Sequence, residues 1–470
     1  MKNNLCWFAF LLFSIILLSS CGGGGSSGGG VPADAVSVND LDGTTSVARN
    51  AVFAYTFSEA VTAATVTAST FFIVEGAPQG QPGNGQNASS SAKAAYDAQT
   101  CDAQYALAGT VDCPTSTACT LTPTSELKYN MQYSVCLLDT IELSSGTAFD
   151  GAAAAFMTVG SENAFQNPAP EELTFAAFSN NTASAGFATT GNAYLIQGLG
   201  NGTFYDLNAT QFDLYYTAPA NTIDLLQTFS TEVLSDNAYI IGGLKNDGNL
   251  CEVPSGGFYN CATTDTWVYD PAQNTLTQGT PINNARDVAA SGVVDGRIYL
   301  IGGWNPNAND TNLSSVEVFD GTSWSEVNYE GRFIPTRSSA YAVVGKKVYV
   351  IAGCAEFQGC QQTLVQIFDT ETNTFSRGAD MSLPGRHFSG QHAVARQGRY
   401  IYVYGGATDM SATKFKDIAV YDVEANEWQT LTNTMTVERK SVGSAMLGDK
   451  LYVAGGGENT TEVGTFTAAQ

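Results

Sequence analysis

Six times in its second half the chain repeats one pattern of polar and apolar positions. Each copy opens on a polar or aromatic residue, runs through four or five mostly apolar positions around a tyrosine, and ends at glycine. The tyrosines are Tyr194, Tyr239, Tyr299, Tyr349, Tyr402 and Tyr452, spaced 45, 60, 50, 53 and 50 residues apart. A short apolar run closed by glycine predicts a buried strand, because a helix needs ten or more residues of 3.6-period pattern. A second strand follows five of these copies, as an aromatic residue, then Asp, then a bulky side chain further on. The instances are Tyr205-Asp206 with Phe212, Tyr269-Asp270 with Leu276, Phe319-Asp320 with Trp324, Phe368-Asp369 with Phe375, and Tyr421-Asp422 with Trp428. Arg286, Arg337, Arg386 and Arg439 stand 16 or 17 residues beyond the last four of these aspartates.

Residues 33–160 follow a different pattern. Short apolar strands such as Val52–Phe57, Thr70–Val74, Tyr133–Leu137 and Phe156–Val159 lie between Ser/Thr/Gly turns. Roughly seven of them in one compact region predict a β-sandwich. Residues 76–98 are Gly/Gln/Asn/Ser/Pro-rich, cannot bury surface, and read as a mobile insertion. Residues 161–170 are polar and proline-containing, and read as a linker.

The second half resembles a kelch β-propeller: the ~50-residue period, the terminal Gly pair, the aromatic-Asp and the bulky residue recur in register over 171–470. It departs from that pattern at Gly198, at Ala352 in place of a first Gly, and in lacking an Arg in the first copy. The resemblance implies six blades of strands a to d, counted from the axis outward. The last copy ends without an outermost strand, while Glu172–Phe178 precedes the first copy without an inner partner. Pairing those two segments would complete the sixth blade and leave no open edge. Residues 33–160 resemble bacterial Ig-like domains of S-layer type through Phe57-Ser58-Glu59-Ala60-Val61 and a late Phe156-Met157-Thr158. The fold class expected is therefore all-β, an Ig-like sandwich followed by a six-bladed propeller.

The first residues carry an address. Met1–Asn4 is a short basic start, and the apolar run Leu5–Leu18 is too short to span a bilayer but suits a secretory leader. Leu18-Ser19-Ser20-Cys21 resembles a bacterial lipobox, which implies a leader over 1–20 and lipid on Cys21, with Gly22 after it implying the outer membrane. Residues 21–32 then form a Gly/Ser tether. Eight cysteines remain in this exported chain, in local groups, which reads as disulfides. Cys251 pairs with Cys261 and Cys354 with Cys360. Of the three connectivities open to Cys101, Cys113, Cys119 and Cys136, we favour Cys113–Cys119 with Cys101–Cys136. Zinc spacing is absent, and no metal or other cofactor is expected.

Charge narrows the partners. The chain holds 20 Lys and Arg against 44 Asp and Glu, a net −24, with no basic run. Nucleic acid is excluded as a partner on that ground. The membrane enters through the Cys21 lipid alone, and the chain is expected to be a monomer. In a propeller the b–c and d–a connections share one face, so the four arginines and the insertions after each Gly pair gather there. Arg286, Arg337, Arg386 and Arg439 are candidates to bind a carboxylate or sugar acid at the channel mouth, with Trp304 exposed beside them and His387 nearby. The competing reading is that each Arg merely fastens its own connection. Kelch-like propellers include sialic-acid mutarotases, in which an acid and an arginine assist ring opening of a sugar acid, and that likeness nominates Glu356, Glu438 and Arg439 for those roles. The leading reading is a non-catalytic binding module for a glycan or envelope protein, against a mutarotase-like enzyme or a purely structural envelope component.

Overall fold

The computed structural model describes residues 30–76, 101–166, 168–179, 185–189, 192–197, 203–207, 215–216, 226–252, 258–307, 311–355, 359–408, 413–456 and 460–469. The leader, Cys21, most of the tether, nearly all of the 76–98 insertion and Glu356 lie outside them. The described residues contain strands and short 3-10 turns and no α-helix.

Residues 36–158 form two four-stranded sheets. One orders Val36–Ser37, Phe53–Thr56, Ala118–Pro123 and Gly109–Thr115; the other orders Thr44–Val47, Ala152–Thr158, Gln132–Leu137 and Phe71–Glu75. Alternate residues of both sheets, among them Phe53, Phe71, Val135 and Phe156, bury one shared core. The disulfides are Cys101–Cys136 and Cys113–Cys119, the favoured connectivity.

Six sheets with a four-stranded body follow, two of them carrying a short fifth strand. Blade 1 is Ala185–Thr189, Asn192–Gln197, Thr203–Leu207 and Tyr215–Tyr216; blade 2 is Ser230–Leu234, Asn237–Ile241, Thr266–Asp270 and Thr275–Gln278. Blade 3 is Ala290–Val294, Arg297–Ile301, Val316–Phe319 and Trp324–Glu326; blade 4 is Ala340–Val344, Lys347–Ala355, Gly359–Asp369 and Thr374–Gly378. Blade 5 is Ala393–Arg396, Tyr400–Tyr404, Ile418–Asp422 and Glu427–Thr430. The last sheet holds Ser441–Leu447, Lys450–Gly455 and Thr461–Thr467, and its outer strand is Glu172–Ser179, antiparallel to Thr461–Thr467.

The repeated residues explain how the sheets stack. The shared tyrosine of strand b meets the aromatic of strand c in the following blade: Tyr239 with Phe319 at 5.4 Å, Tyr299 with Phe368 at 5.9 Å, Tyr349 with Tyr421 at 6.1 Å and Tyr402 with Phe466 at 5.0 Å. The aspartate beside that aromatic turns the chain into strand d. Asp270, Asp320, Asp369 and Asp422 each accept two backbone N–H groups from the next turn through Oδ1. Trp324 and Trp428 pass their indole N–H back to Thr280 and Ala379, in the preceding blade. Ring and acid thus serve packing and turning.

The 161–170 segment is fastened to the propeller. The N–H groups of Ser161 and Phe165 donate to Glu427 and Asp422, Phe165 stacks on Tyr400, and the Tyr400 hydroxyl donates to the Pro168 carbonyl. These partners belong to the a–b and c–d turns of blade 5, on the face opposite the b–c and d–a connections. The sandwich also reaches the propeller directly. Glu75 accepts from Lys128 at 2.7 Å and from the Arg377 N–H at 2.6 Å, and the Asn426 amide donates to the Tyr129 carbonyl.

Candidate functional site

Among the described residues, four d–a connections enter their blade through one residue whose carbonyl accepts from the glycine ending strand b. These residues are Arg286, Thr336, Arg386 and Arg439, bonded to Gly243, Gly303, Gly353 and Gly406 of the blade before. The arginines turn into the blade they precede. Arg286 donates to the carbonyls of Asn284, Gly302 and Ser315 and to Glu317 at 2.5 Å; Arg439 donates to Gly455 and Thr460 and to Glu462 at 3.0 Å. Arg386 donates to Pro384 and Gly405, lies 3.9 Å over the Phe415 ring, and meets Asp417 at 3.4 Å. All three are at most 1% exposed. The structure therefore corrects the expectation of a guanidinium ring at the mouth. These groups are stitched into the blade interior, where a buried cation requires a partner. Blade 4 confirms the logic in neutral form: Thr336 replaces Arg, and Gln366 stands where Glu317 and Glu462 stand elsewhere, bonded to both backbone groups of Ile334.

Arg337 is one residue out of that register, so it shares its level with Asp287, His387 and Lys440. It is half-buried, 4.6 Å over the Trp304 ring. Trp304, expected in the open, is 7% exposed, because Arg337 covers it and its backbone pairs with Asp287. His387 is buried beside Ala407, and Glu438 is exposed. Asp287 is 4% exposed; Thr228 donates to its Oδ2 at 3.1 Å, while its Oδ1 has no hydrogen-bond partner among the described residues. Burial pushes this carboxyl up to about 7, against the pull of Arg337 and Thr228.

Above this level the b–c hairpins form a joined rim. The blade 2 hairpin, Leu244–Glu252 with Phe258–Ala262, is closed by Cys251–Cys261; in blade 4, Cys354–Cys360 does the same. Between them, Asn307 of the blade 3 hairpin exchanges two hydrogen bonds with the Ala262 backbone, at 2.9 and 2.7 Å. On its other side Asn312 donates to the carbonyls of Pro335 and Cys354. Three successive loops are thus cross-linked, and Leu250 stands 55% exposed at the edge.

Beneath lies the axis. Gln391 reaches from blade 5 to the blade 2 residue Thr231, donating to its carbonyl and hydroxyl at 3.2 Å, and so roofs the channel on the loop side. Its own carbonyl accepts from the hydroxyls of Tyr404 and Ser444. Under the roof is a cavity of about 440 Å³ whose described lining residues include one carboxyl group, Glu232. Ser291 donates to Glu232 at 2.6 Å, and Tyr341 hydrogen-bonds Ser291 and Gln391. Desolvation raises the Glu232 carboxyl to about 7 despite the Ser291 bond. The sequence patterns missed this group. Opposite the shared tyrosines of strand b, strand a carries Phe187, Glu232, Gly292, Ala342, Val394 and Ala445. A single acid in that column was the available signal. Among the described residues no three His, Cys, Asp or Glu side chains gather as metal ligands.

Comparison with known proteins agrees with this architecture. Residues 227–456 match the family model of the KLHDC2/KLHL20/DRC7 Kelch-repeats domain, and residues 31–158 match that of a bacterial Ig-like domain. Kelch-like protein 25 of Xenopus tropicalis is 27% identical over 237 residues, covering 48% of this chain and 36% of that protein. Kelch-like protein 23 of Homo sapiens is 24% identical over 232 residues, 49% of this chain and 37% of that protein. Kelch-like protein terF of Aspergillus terreus is 25% identical over 263 residues, 52% of this chain and 53% of that protein. The shared part is thus between a third and about half of these relatives' length. A solved structure titled "Structure of YjhT" superposes with a TM-score of 0.51 at 17% identity, over 63% of this chain and 96% of that one, a likeness of fold.

Proposed function

We propose that this chain, which carries a kelch-repeat propeller behind a bacterial Ig-like domain, is a lipid-anchored envelope protein that recognises a glycan or envelope protein without catalysis. The observation that carries the reading is the cross-linked rim. Two disulfides and the Asn307 and Asn312 bridges hold three adjacent hairpins in place, outside the blade cores. Loops ordered before binding lose little conformational entropy on association, which favours recognition over a passive wall. Arg337 on Trp304 belongs to this face, and the sandwich is fastened to the opposite one, so a chain anchored at Cys21 presents the rim outward.

The fold alone assigns no ligand, since propellers host many functions. A mutarotase-like reaction on a sugar acid has less support, because Arg286, Arg386 and Arg439 spend their donors within the blades. The test is a glycan array and a pull-down from envelope fractions, run with a mutarotation assay on sialic acid. Leu250→Asp and the pair Asn307→Ala, Asn312→Ala are expected to weaken the captured partner tenfold or more, with sugar-acid mutarotation at the uncatalysed rate. Binding that ignores the rim variants, or a catalysed mutarotation, overturns the reading.

A further inference from the structure

The rim reading leaves the axial cavity without a task, since the Gln391 bridge separates it from the loop face. We propose that this cavity is a binding site for a small organic ammonium ion, its charged head on the Glu232 carboxylate and its apolar body against Val233, Val293 and Val343.

The argument begins with what the cavity lacks. Arg286, Arg386 and Arg439 are bound within the blades, Arg337 lies over Trp304 at the rim, and no Lys or Arg is among the described residues that line the cavity. Blade 3 faces Glu232 with Ser291, blade 4 brings Tyr341, and the blade 1 strand Ala185–Thr189 holds no titratable residue. Among the described residues Glu232 is therefore a carboxyl without a counter-charge, and burial raises it to about 7. A buried carboxylate with no cation is costly, so a cationic ligand gains by supplying the missing charge.

The lining then selects the cation. An ammonium head has three N–H donors, and Glu232 and the hydroxyls of Ser291 and Tyr341 are acceptors grouped around one point. A divalent metal is a poor match, because calcium requires six to eight oxygens and the site offers one carboxylate. Below Glu232 the walls are Val233, Val293 and Val343 with Ala395 and Met446, which offer a body of several methylenes an apolar surface and a polyol no partners. The a–b turns around the axis carry Asp236, Asp295 and Asp449, and Lys346 there is paired with Asp295. The same turns and the residues beside them also hold Arg297, Lys347, Arg396, Arg399 and Lys450, so both signs meet at the far opening.

The experiment titrates the full chain with n-alkylammonium ions from ethyl to hexyl and with the matching alcohols, by calorimetry at pH 6 and pH 8. Expected is binding of at least one alkylammonium at pH 8, about tenfold weaker at pH 6 where Glu232 is mostly protonated, with the matching alcohol at least tenfold weaker than the amine. Glu232→Gln should cost tenfold or more, and Ser291→Ala less. In the unmodified protein, the infrared band of protonated carboxyl at pH 6 should lose the Glu232 part as the amine saturates, leaving that of Asp287, a readout that holds even if a variant folds poorly. Equal binding of amine and alcohol, an unchanged affinity in Glu232→Gln, or no binding by any amine of the series overturns the proposal. None of these outcomes bears on the rim, whose variants leave the cavity intact.

Discussion

The d–a connections and the axial cavity treat buried charge in opposite ways. In blades 3 and 6 a guanidinium and a carboxylate are buried together, Arg286 with Glu317 and Arg439 with Glu462, and backbone groups take up their remaining hydrogen-bonding capacity. In blade 4 both members are neutral, Thr336 and Gln366. At the axis Glu232 has only a hydroxyl. The lesson is that a charge in this propeller is structural where its partner is built in, and available for ligand chemistry where it is not.

The sharpest way to break that contrast is to remove half of a pair. Glu317→Gln leaves Arg286 buried without its carboxylate and is expected to cost about 3–5 kcal/mol in chemical denaturation. Adding Arg286→Thr to it reproduces the blade 4 arrangement and should return stability to within about 1 kcal/mol of the parent. If the double variant is as unstable as the single one, charge matching is not what the pair provides.

How much of this was legible beforehand follows from what a spacing can encode. The repeat of Tyr, Gly and aromatic-Asp specified six sheets because each residue has one packing task that recurs every blade. Cys113–Cys119, Cys251–Cys261 and Cys354–Cys360 were legible because each closes one loop, 6 or 10 residues apart, while Cys101–Cys136, 35 apart, was a choice among three connectivities. Spacing from the aspartates, however, counted residues without regard to loop length: Arg337 fell at the expected distance of 17 yet sits one place beyond Thr336, the true counterpart of Arg286. Direction was also hidden, since a side chain turned into its own blade and one aimed at the mouth read alike. Trp304 was expected to be exposed because its loop is polar, and only the tertiary placement of Arg337 covers it. Glu232 was one more acid in an acidic chain until strand register put it among Gly, Ala and Val.

A smaller effect sets Glu232 and Asp287 apart through pH. Glu232 and Asp287 hold their protons up to about 7, whereas an unfolded chain releases them near the ordinary 4.5 and 3.8. Between those limits the folded state binds more protons than the unfolded one. The stability these two groups contribute is therefore complete below about pH 4 and declines as pH rises to 7. Glu232→Gln should be about 1–2 kcal/mol more stable than the parent at pH 8, with the difference vanishing near pH 4, the figure being reduced for water reaching the cavity. A parent whose stability rises steadily from pH 4 to 8, unchanged in slope by Glu232→Gln, would remove the distinction.

The smallest expected effect concerns whether pairing between domains follows the same rule as pairing within a blade. Glu75 and Lys128 pair within the sandwich and together hold the Arg377 backbone of the propeller, Glu75 accepting its N–H and Lys128 donating to its carbonyl, but Lys128 remains 34% exposed and Glu75 14%. Water reaches this pair, so Lys128→Ala should cost only about 0.5–1 kcal/mol of docking and leave the unfolding of each domain in place. Asn426→Ala removes a donor to the Tyr129 carbonyl and a buried acceptor for the Ala379 N–H, so it should loosen the junction somewhat more. The measurement is the rate at which a protease cuts within 161–170 in the native protein, together with the radius of gyration in solution. Faster cutting and a larger radius in both variants, ordered Asn426→Ala above Lys128→Ala, match a junction held by a few shielded hydrogen bonds. If Lys128→Ala instead destabilises the propeller as strongly as Glu317→Gln does, the domains fold as one unit and exposure is the wrong measure of what a buried partner is worth here.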